Sequence, residues 1–413
     1  MRAGNAECCG EGDFGVELPD KAGDFCVDNS PILRVAYLVR NLAISASLIA
    51  GIAVFSEQAQ AADSVATATT DTLSEAGEAR FGFGNGSIVV APIPLSNPAL
   101  GNGVVASASY LFKVDANSDT SYIGVAKMKT DNGSEGAGIA ATILFGQGRW
   151  ELRAAYGEAK INYSVSGIGR LRFGPIPISQ EGTFASAKIS YGITESFRLG
   201  VQAAYLDTTI SLNNAGGFVL PSLPSFKAGG IKQLLIAPTF SWDTRDDNIY
   251  PTKGLHASWV FQRGFGLGSF DNRFTKHVLS GSAYVPYREK GVLALNVTAC
   301  NASSKTPFFN QCAVGLTDNF RGFGAGQYVD KGLLTLQAEY RHRMSKRWGA
   351  TIFGGASIVG PSFDDLGSSG ALYAGGLGAR YRLSKKFPLD FSVDLTVNSD
   401  GVQYTYVYIG QSF

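Results

Sequence analysis

From about Gly86 onward, the chain alternates apolar and polar residues over many short segments. In most segments one face carries Leu, Val, Ile, Phe or Tyr, and the other carries Gly, Ala, Ser, Thr or a charge. A period of two residues predicts β-strands with one apolar face. We count about sixteen such segments and find no internal domain boundary. Clear examples are GVVASASYLFKV (103–114), FRLGVQAAYL (197–206), LLTLQAEYRHR (333–343) and LDFSVDLTV (389–397).

The connections between these segments alternate between short and long. Short turns include 115–119, 146–149, 193–196 and 287–291, whereas the long connections cover 164–182, 207–230 and 301–330. Short turns on one rim and long loops on the other are typical of bacterial outer-membrane barrels. The pattern therefore predicts an all-β fold, a transmembrane antiparallel β-barrel of about 16 strands over 86–413 with both ends periplasmic. The alternative is a periplasmic β-sandwich.

The N-terminal region carries the features of an export signal. Arg34 and Arg40 precede the apolar run 42–55, and the small residues Ala59 and Ala61 follow it. This order predicts a signal peptide cleaved after Ala61, so that 1–61 is an N-terminal extension plus signal peptide. Residues 62–85 are small and polar and are expected to form a linker.

Composition and short motifs argue against several functional classes. The net charge is +1 and the three histidines lie far apart, so we expect no nucleic-acid partner and no histidine-built metal site. No G-x-S-x-G motif occurs, and we expect no enzymatic activity, no cofactor and no metal. Asp243, Asp246 and Asp247 leave open a calcium site, although their spacing fits no EF-hand loop. A turn of a larger fold is the other interpretation.

Two cysteines flank an insert in the third long connection. Cys300 and Cys312 are separated by NASSKTPFFNQ. Export to an oxidising compartment favours a disulfide between them. The alternative is a pair of free thiols.

Four motifs occur in an order that resembles the outer-membrane assembly and translocation barrels of the bacterial surface antigen family. They are WDTRDDNIYPTKG (242–254), FRGFGAG (320–326), QAEYRHR (337–343) and YIGQSF (408–413). The segment APIPLSNPALGNG (91–103) also resembles the first strand and turn of some members. The resemblance implies a sixteen-stranded barrel that inserts barrels into the outer membrane or secretes proteins across it. Residues 62–85 are too few for a POTRA module, which indicates a short member.

The resemblance also implies roles for particular residues. In the family, the long loop after the eleventh strand folds into the lumen, and its Arg-Gly-Phe tip docks on acidic residues of the inner wall. Here the tip corresponds to Arg321, Gly322 and Phe323, and the acidic partner to Glu339. We call these four residues the loop lock. Gly355 stands where the family has a second aspartate, so a single Arg321–Glu339 pair is expected. The alternative is a solvated surface loop.

Two further sets of residues follow from the resemblance. The turn between the eighth and ninth strands corresponds to the family turn motif, with Asp243, Arg245, Asp246, Tyr250, Pro251 and Gly254. At the C-terminus, Val407, Ile409 and Phe413 share one alternating face, expected to meet lipid and to form an assembly signal. Gln411 lies on that same face. Tyr404, Tyr406 and Tyr408 are expected to point into the lumen.

Together these features predict a protein acting in outer-membrane protein assembly or transport. The alternative is a passive, loop-plugged pore or structural barrel without insertase activity. Expected partners are outer-membrane lipids or lipopolysaccharide, client outer-membrane proteins and the barrel-assembly machinery. Insertion requires weak pairing between the first and last strands, and Gly410, Pro92 and Pro94 would weaken that junction.

Overall fold

The computed structural model describes residues 86–413 except 99, 116, 119, 169–170, 213–229, 318–319, 325, 368–369, 384–387 and 389. The expected N-terminal extension, signal peptide and linker lie outside the described residues. The described strands are β1 (Ser87–Asn97), β2 (Gly101–Phe112), β3 (Ser121–Thr130), β4 (Glu135–Phe145), β5 (Trp150–Ile168), β6 (Leu171–Gly192), β7 (Phe197–Leu212), β8 (Ile231–Asp243), β9 (Gly254–Leu267), β10 (Arg273–Tyr287), β11 (Gly291–Ala302), β12 (Cys312–Ala313), β13 (Tyr328–Asp330), β14 (Gly332–Arg343), β15 (Trp348–Gly360), β16 (Ala371–Arg382), β17 (Asp390–Asn398) and β18 (Gln403–Ile409).

Sixteen of the described strands form one closed antiparallel barrel. Strands β1–β11 and β14–β18 each pair with their neighbours, and β1 pairs with β18 to close the sheet. The short strands β12 and β13 belong to the connection between β11 and β14. This arrangement confirms the predicted sixteen-stranded barrel. Because the number of strands is even, the two ends of the barrel lie at the same rim.

The barrel wall is polar on the inside and apolar on the outside. Large apolar side chains on alternate positions are exposed, as Leu279, Leu336 and Leu395 show. Polar and charged side chains on the other positions are buried, among them Gln262, Gln337, Glu339, Arg341, Arg380 and Asp394. This inversion of the soluble-protein pattern is the one that lipid on the outside and a filled lumen require.

Among the described residues, no helix is long and apolar enough to span a bilayer.

The prediction of a long loop over 164–182 is wrong. Strands β5 and β6 continue as a hairpin through this region, with pairing from Trp150–Tyr191 to Ile168–Leu171. Val165 and Ile178 are buried there in one cluster, so an apolar face continues beyond the barrel proper. The edge of this hairpin is covered in part by β13, which pairs in parallel with β5 through Tyr328–Gly167 and Val329–Ile168.

The connection from β11 to β14 carries an apolar cluster into the barrel. Val314, Phe320, Phe323 and Tyr328 of this connection pack in one buried cluster with wall residues of β14, β15 and β16, namely Leu333, Val359, Leu372 and Ala374. A connection that buries this many apolar side chains has a defined conformation. It presents the segment 320–324 to the inner wall of β14–β18.

Candidate functional site

The tip of the inward connection places one guanidinium between two carboxylates. Arg321 Nη2 lies 2.5 Å from Glu339 Oε2 on β14, and Arg321 Nη1 lies 2.5 Å from Asp394 Oδ2 on β17. All three side chains are almost fully buried, with the arginine only 4% exposed. Burial strengthens each ion pair but makes an unpaired charge costly. The guanidinium therefore holds the connection to two different strands of the wall.

The expectation of a single carboxylate partner for Arg321 is wrong, because Asp394 supplies a second one. The residue was missed because Gly355 stands where the family has its second aspartate. In the structure, the Phe320 ring approaches that wall position closely, and a Cβ on Gly355 would lie 2.9 Å from it. Asp394 shares its inner face with buried polar residues of β17, Ser392 and Thr396. That polar periodicity is the sequence signal that could have identified it.

The other residues of the loop lock fix the position of the tip. Gly322 N donates to the Tyr406 hydroxyl at 2.8 Å, and Gly322 O accepts from Asn398 Nδ2 at 2.7 Å. The Arg321 guanidinium carbon lies 3.5 Å from the centroid of the Phe353 ring. Phe323 is 1% exposed and stacks on Phe320. Backbone, charge and aromatic contacts all hold the same five-residue segment against the wall.

Hydrogen bonds continue from the loop lock toward the last strand. Arg380 Nη1 lies 2.5 Å from Asp394 Oδ1, and the Tyr408 hydroxyl donates to Asp394 Oδ2 at 2.6 Å. Arg341 Nε contacts Glu339 Oε1 at 2.7 Å. Thus Asp394 binds the inward connection through Arg321 and the last strand through Tyr408. The sequence motifs predict no role for Arg341, Arg380 or Asp394.

The C-terminal residues turn into the barrel, which corrects the expected lipid-facing position of Phe413. Strand β18 ends at Ile409, and Gly410 adopts φ 97°, a conformation that suits glycine and bends the chain. Phe413 is 3% exposed and packs with Tyr284, Val292 and Ala294. Its carbonyl oxygen accepts a hydrogen bond from Arg341 Nη2 at 2.5 Å.

Gln411 also lies inside the barrel and not on the lipid face. Its Nε2 donates to Asp390 Oδ2 at 2.9 Å, and its Oε1 accepts from Arg380 Nε at 3.3 Å. Val407 is half-buried and pairs with Ser96 of β1. Ile409 pairs through its backbone with Phe391. The alternation of 407–413 therefore breaks at the bend, so these residues do not form one continuous face.

The family turn motif folds into a hydrogen-bonded turn. Arg245 donates to Asp243 through Nε at 2.9 Å and Nη2 at 2.6 Å. Asp246 accepts from the Thr252 hydroxyl and from the backbone of 252 and 253, and Asp247 accepts from the backbone N–H groups of Ile249 and Tyr250. Because each carboxylate is engaged by donors within the turn, the geometry favours the structural interpretation over a calcium site.

Tyr250 connects this turn to strands on another part of the barrel. The Arg343 and Arg382 guanidinium carbons lie 5.0 and 5.3 Å from the centroid of its ring. Both arginines form salt bridges with Asp390, which is fully buried. Pro251 is buried beside it, and Gly254 takes φ 104° where β9 begins. The turn therefore reaches from β8–β9 to β14, β16 and β17 at the periplasmic rim.

Replacement of Tyr250 tests this contact. In a Tyr250→Ala variant, the two guanidinium groups lose the ring face, and we expect a loss of about 1–2 kcal/mol in the free energy of unfolding. Tyr250→Phe keeps the face and should stay within about 0.5 kcal/mol of wild type. The measurement is the unfolding midpoint in denaturant, followed by tryptophan fluorescence. Equal stability of the alanine and phenylalanine variants would show that the ring contributes nothing at this rim.

The two cysteines of the third long connection lie within bonding distance. Cys300 on β11 and Cys312 on β12 are joined by a disulfide with a Cα–Cα distance of 5.8 Å. Nearby, Asn310 Nδ2 donates to Gln233 Oε1 at 2.6 Å. These contacts hold the start of the inward connection against β8 and β11, above the loop lock.

The junction of β1 and β18, which we call the seam, is the least paired part of the barrel wall. Among the described residues, β1 and β18 pair at one position, Ser96–Val407, whereas β1 and β2 pair over the whole length of β1. The Ser96 hydroxyl also donates to Thr405 O at 3.3 Å. In this register Ile409, the last residue of β18, stands opposite Pro94, and the chain then bends inward, so 88–94 make no recorded pair with β18.

Comparison with known proteins agrees with this architecture. Residues 177–413 match the Omp85 superfamily domain. The structure of BamA from Haemophilus ducreyi lacking POTRA domains 1–3 superposes with a TM-score of 0.53 at 15% identity, covering 79% of this chain and 70% of that one. CdiB from Acinetobacter baumannii and CdiB from Escherichia coli each give a TM-score of 0.51 at 12% identity, covering 78% of this chain.

This chain spans 59% and 62% of the two CdiB chains, respectively. A search of curated proteins gives no match.

Proposed function

Because the chain belongs to the Omp85 superfamily and is a β-barrel of the outer membrane, we propose that it inserts outer-membrane proteins or moves polypeptides across the membrane, using the seam. The observation that carries the proposal is the single residue pair that, among the described residues, joins β1 to β18. A barrel wall gains its stability from continuous pairing between strands, so a junction of this kind is the easiest place to open.

The unpaired edge of β1 has a defined chemistry. Backbone groups of successive residues point to opposite neighbours in a strand. Pro92 and Pro94 lie in register with β2 but have no N–H to donate to it. We therefore infer that the backbone groups at these two positions point away from β2, toward β18. Ile88 and Val90 occupy alternate positions in line with Pro92 and Pro94, so their backbone groups point the same way. Their side chains are 73% and 66% exposed. The edge thus offers carbonyl acceptors at all four positions but N–H donors only at the two residues nearest the periplasmic rim.

Such an edge is suited to an extended segment of another polypeptide. Strand addition to an open sheet edge uses backbone hydrogen bonds and needs little side-chain specificity. In the proposed reaction, a client outer-membrane protein adds a strand at β1, donating to carbonyl groups along the edge. Client outer-membrane proteins are the proposed substrates, and the barrel-assembly machinery is a proposed partner. No covalent chemistry is required.

The proposed mature chain begins after Ala61. Cleavage there would leave residues 62–85 as a linker between the new N-terminus and β1. N-terminal sequencing or intact-mass measurement of protein isolated from outer membranes tests this boundary.

A second candidate function is a passive, loop-plugged barrel. Two observations favour it: the inward connection is held by two buried ion pairs, and prolines remove two donors from the edge of β1. In this alternative, the seam stays closed and the prolines block unwanted strand addition, as they do at the edges of many natural sheets.

Reconstitution into liposomes separates the two candidates. We expect liposomes that contain the full chain to fold an unfolded eight-stranded client barrel about tenfold faster than empty liposomes, a difference of ~1.4 kcal/mol in the barrier. Client folding is read from the heat-dependent mobility of its band, and ion conductance is recorded on the same preparation. An unrelated barrel at the same density is the control. Conductance without faster client folding would support the passive pore and refute the proposal.

A further inference from the structure

Two arginines and a neighbouring histidine lie on the outer, lipid-facing wall near the extracellular rim, away from the loop lock and the seam. Arg263 of β9 and Arg273 and His277 of β10 occupy alternate, outward positions of their strands. These strands begin or end at the short connection 268–272, on the rim opposite the family turn motif. Both arginines are exposed, and His277 is half-buried. We call Arg263, Arg273 and His277 the outer cationic patch, in which the two arginines carry the positive charge.

The strand register brings these three side chains together. Arg273 pairs directly with Phe265, and Arg263 pairs with Thr275. His277 pairs with Phe261. Arg263 is therefore a diagonal neighbour of both Arg273 and His277, and diagonal neighbours lie about 7–8 Å apart. Side chains as long as arginine can converge on one small anion across that distance.

Among the described residues, neither arginine has a carboxylate partner, which distinguishes both from another cation on the same wall. Lys232 of β8 has such a partner, since its Nζ lies 3.1 Å from Asp207 Oδ2. For Arg263 and Arg273, no ion pair within 4.0 Å exists in the described part of the chain. Asp271, in the connection beside Arg273, makes no ion pair with either. The patch thus has an excess of positive charge at a position that faces lipid.

An apolar and aromatic surface lies directly below the patch. Trp259 and Leu279 are 38% and 54% exposed, and they pair across β9 and β10. The His277 ring stacks on Phe261 with centroids 4.5 Å apart. The Arg263 guanidinium carbon lies 5.4 Å from the centroid of the Phe265 ring. The Arg263 guanidinium therefore lies near the ring of Phe265, the residue that pairs with Arg273.

From Leu255, near the periplasmic rim, to Arg263 the strand rises by eight residues. At about 3.3 Å per residue and a tilt near 40°, this rise is roughly 20 Å. The apolar band of an outer-membrane barrel is ~25 Å tall. The patch therefore lies close to the outer interface, where the phosphate groups of outer-leaflet lipids are found.

We propose that the outer cationic patch binds the phosphate groups of a lipid A-type glycolipid in the outer leaflet. The guanidinium fork matches phosphate oxygens better than a point charge does. The acyl chains of the same molecule lie along Phe261, Trp259 and Leu279. The combination of anionic head and several acyl chains fits the two halves of this surface, charged above and apolar below.

The experiment measures lipid bound to the folded full chain in detergent by native mass spectrometry. The added probes are bisphosphorylated lipid A, the same lipid without phosphates, and phosphatidylglycerol. We expect wild type to bind one lipid A, with the other two probes binding at least about tenfold more weakly. In the Arg263→Gln/Arg273→Gln variant, lipid A affinity should fall by about tenfold or more.

Two further variants make the result specific. Arg288→Gln/Lys346→Gln removes the same charge at the periplasmic rim and should bind lipid A like wild type. Arg263→Lys/Arg273→Lys keeps the charge without the fork and should bind with intermediate affinity. Heat-dependent gel mobility verifies that each variant is folded. Equal lipid A affinity in wild type and the Arg263→Gln/Arg273→Gln variant would overturn the proposal, as would equal affinity for phosphatidylglycerol.

Discussion

An Arg321→Ala variant is expected to lose about 3 kcal/mol of folding free energy, the lower end of the cost of breaking a buried ion pair. The substitution removes the partner that Glu339 and Asp394 share. Arg341 and Arg380 still contact these carboxylates, which keeps the loss at the lower end. The temperature at which the folded band disappears in heat-modifiability gels should drop by roughly 5–10 °C.

Lys346→Ala is the control for this variant. Lys346 is an exposed residue of the turn between β14 and β15, and its removal should change stability by less than about 0.5 kcal/mol. If Arg321→Ala melts together with wild type and the lysine control, the Arg321 contacts do not stabilise the barrel. The inward connection would then be held by its apolar cluster alone.

A Gly322→Ala variant should be almost as unstable, for a different reason. Gly322 has φ 112°, in a region that residues with a Cβ rarely adopt, and a Cβ there would lie 2.4 Å from Ala374 Cβ. The tip must shift to relieve this contact, which draws Arg321 away from its carboxylates. We expect a loss of about 2–3 kcal/mol. Gly281→Ala is the control, because a Cβ at that position meets nothing within 4 Å.

The two substitutions should not add. If glycine acts by placing Arg321, the Arg321→Ala/Gly322→Ala double variant will be little less stable than Arg321→Ala alone. The unfolding midpoints of wild type, the two single variants and the double variant give the coupling free energy between residues 321 and 322. Additive losses would show that Gly322 stabilises the tip independently of the ion pairs.

The loop lock and the seam share residues, which links the two parts of the proposed function. Asp394 Oδ2 accepts from Arg321 of the inward connection and from Tyr408 of β18. Release of Arg321 therefore changes the environment of the strand that forms one side of the seam. Gln411, just after that strand, is held by Asp390 and Arg380. The short β18 is thus held by contacts from inside the lumen. Among the described residues, β1 pairs with it at one position.

The strand content of the barrel could be predicted because lipid and lumen impose opposite preferences on alternate residues. Leu395 points outward and Asp394 inward, and the same alternation recurs in strand after strand. The extension of β5 and β6 over 164–182 was not predictable in this way. The glycines and prolines of this segment are typical of a loop. A hairpin outside the membrane also has the same two-residue period as one inside it, so the period does not distinguish the two.

The site was predictable where it depends on a motif and not where it depends on folding. Arg321 and Glu339 lie in sequence motifs that resemble those of the family. Asp394 is 73 residues from Arg321 and contacts it only because the barrel closes. The inward turn of Gln411 and Phe413 depends on one bend at Gly410. Extrapolating the alternation through that bend assigns both side chains to the wrong surface.

The central claim is that the seam opens when the barrel acts, and a covalent closure of the seam tests it directly. Ser96→Cys/Val407→Cys places two thiols at the position where the described residues of β1 and β18 pair. Leu395→Cys/Thr405→Cys does the same between β17 and β18, which we expect to stay paired. Both variants are oxidised after folding and reconstituted with the unfolded client barrel. We predict that oxidation of the seam variant abolishes client folding, that reduction restores it, and that the β17–β18 variant is unaffected by either. Undiminished client folding by the oxidised seam variant would contradict the account.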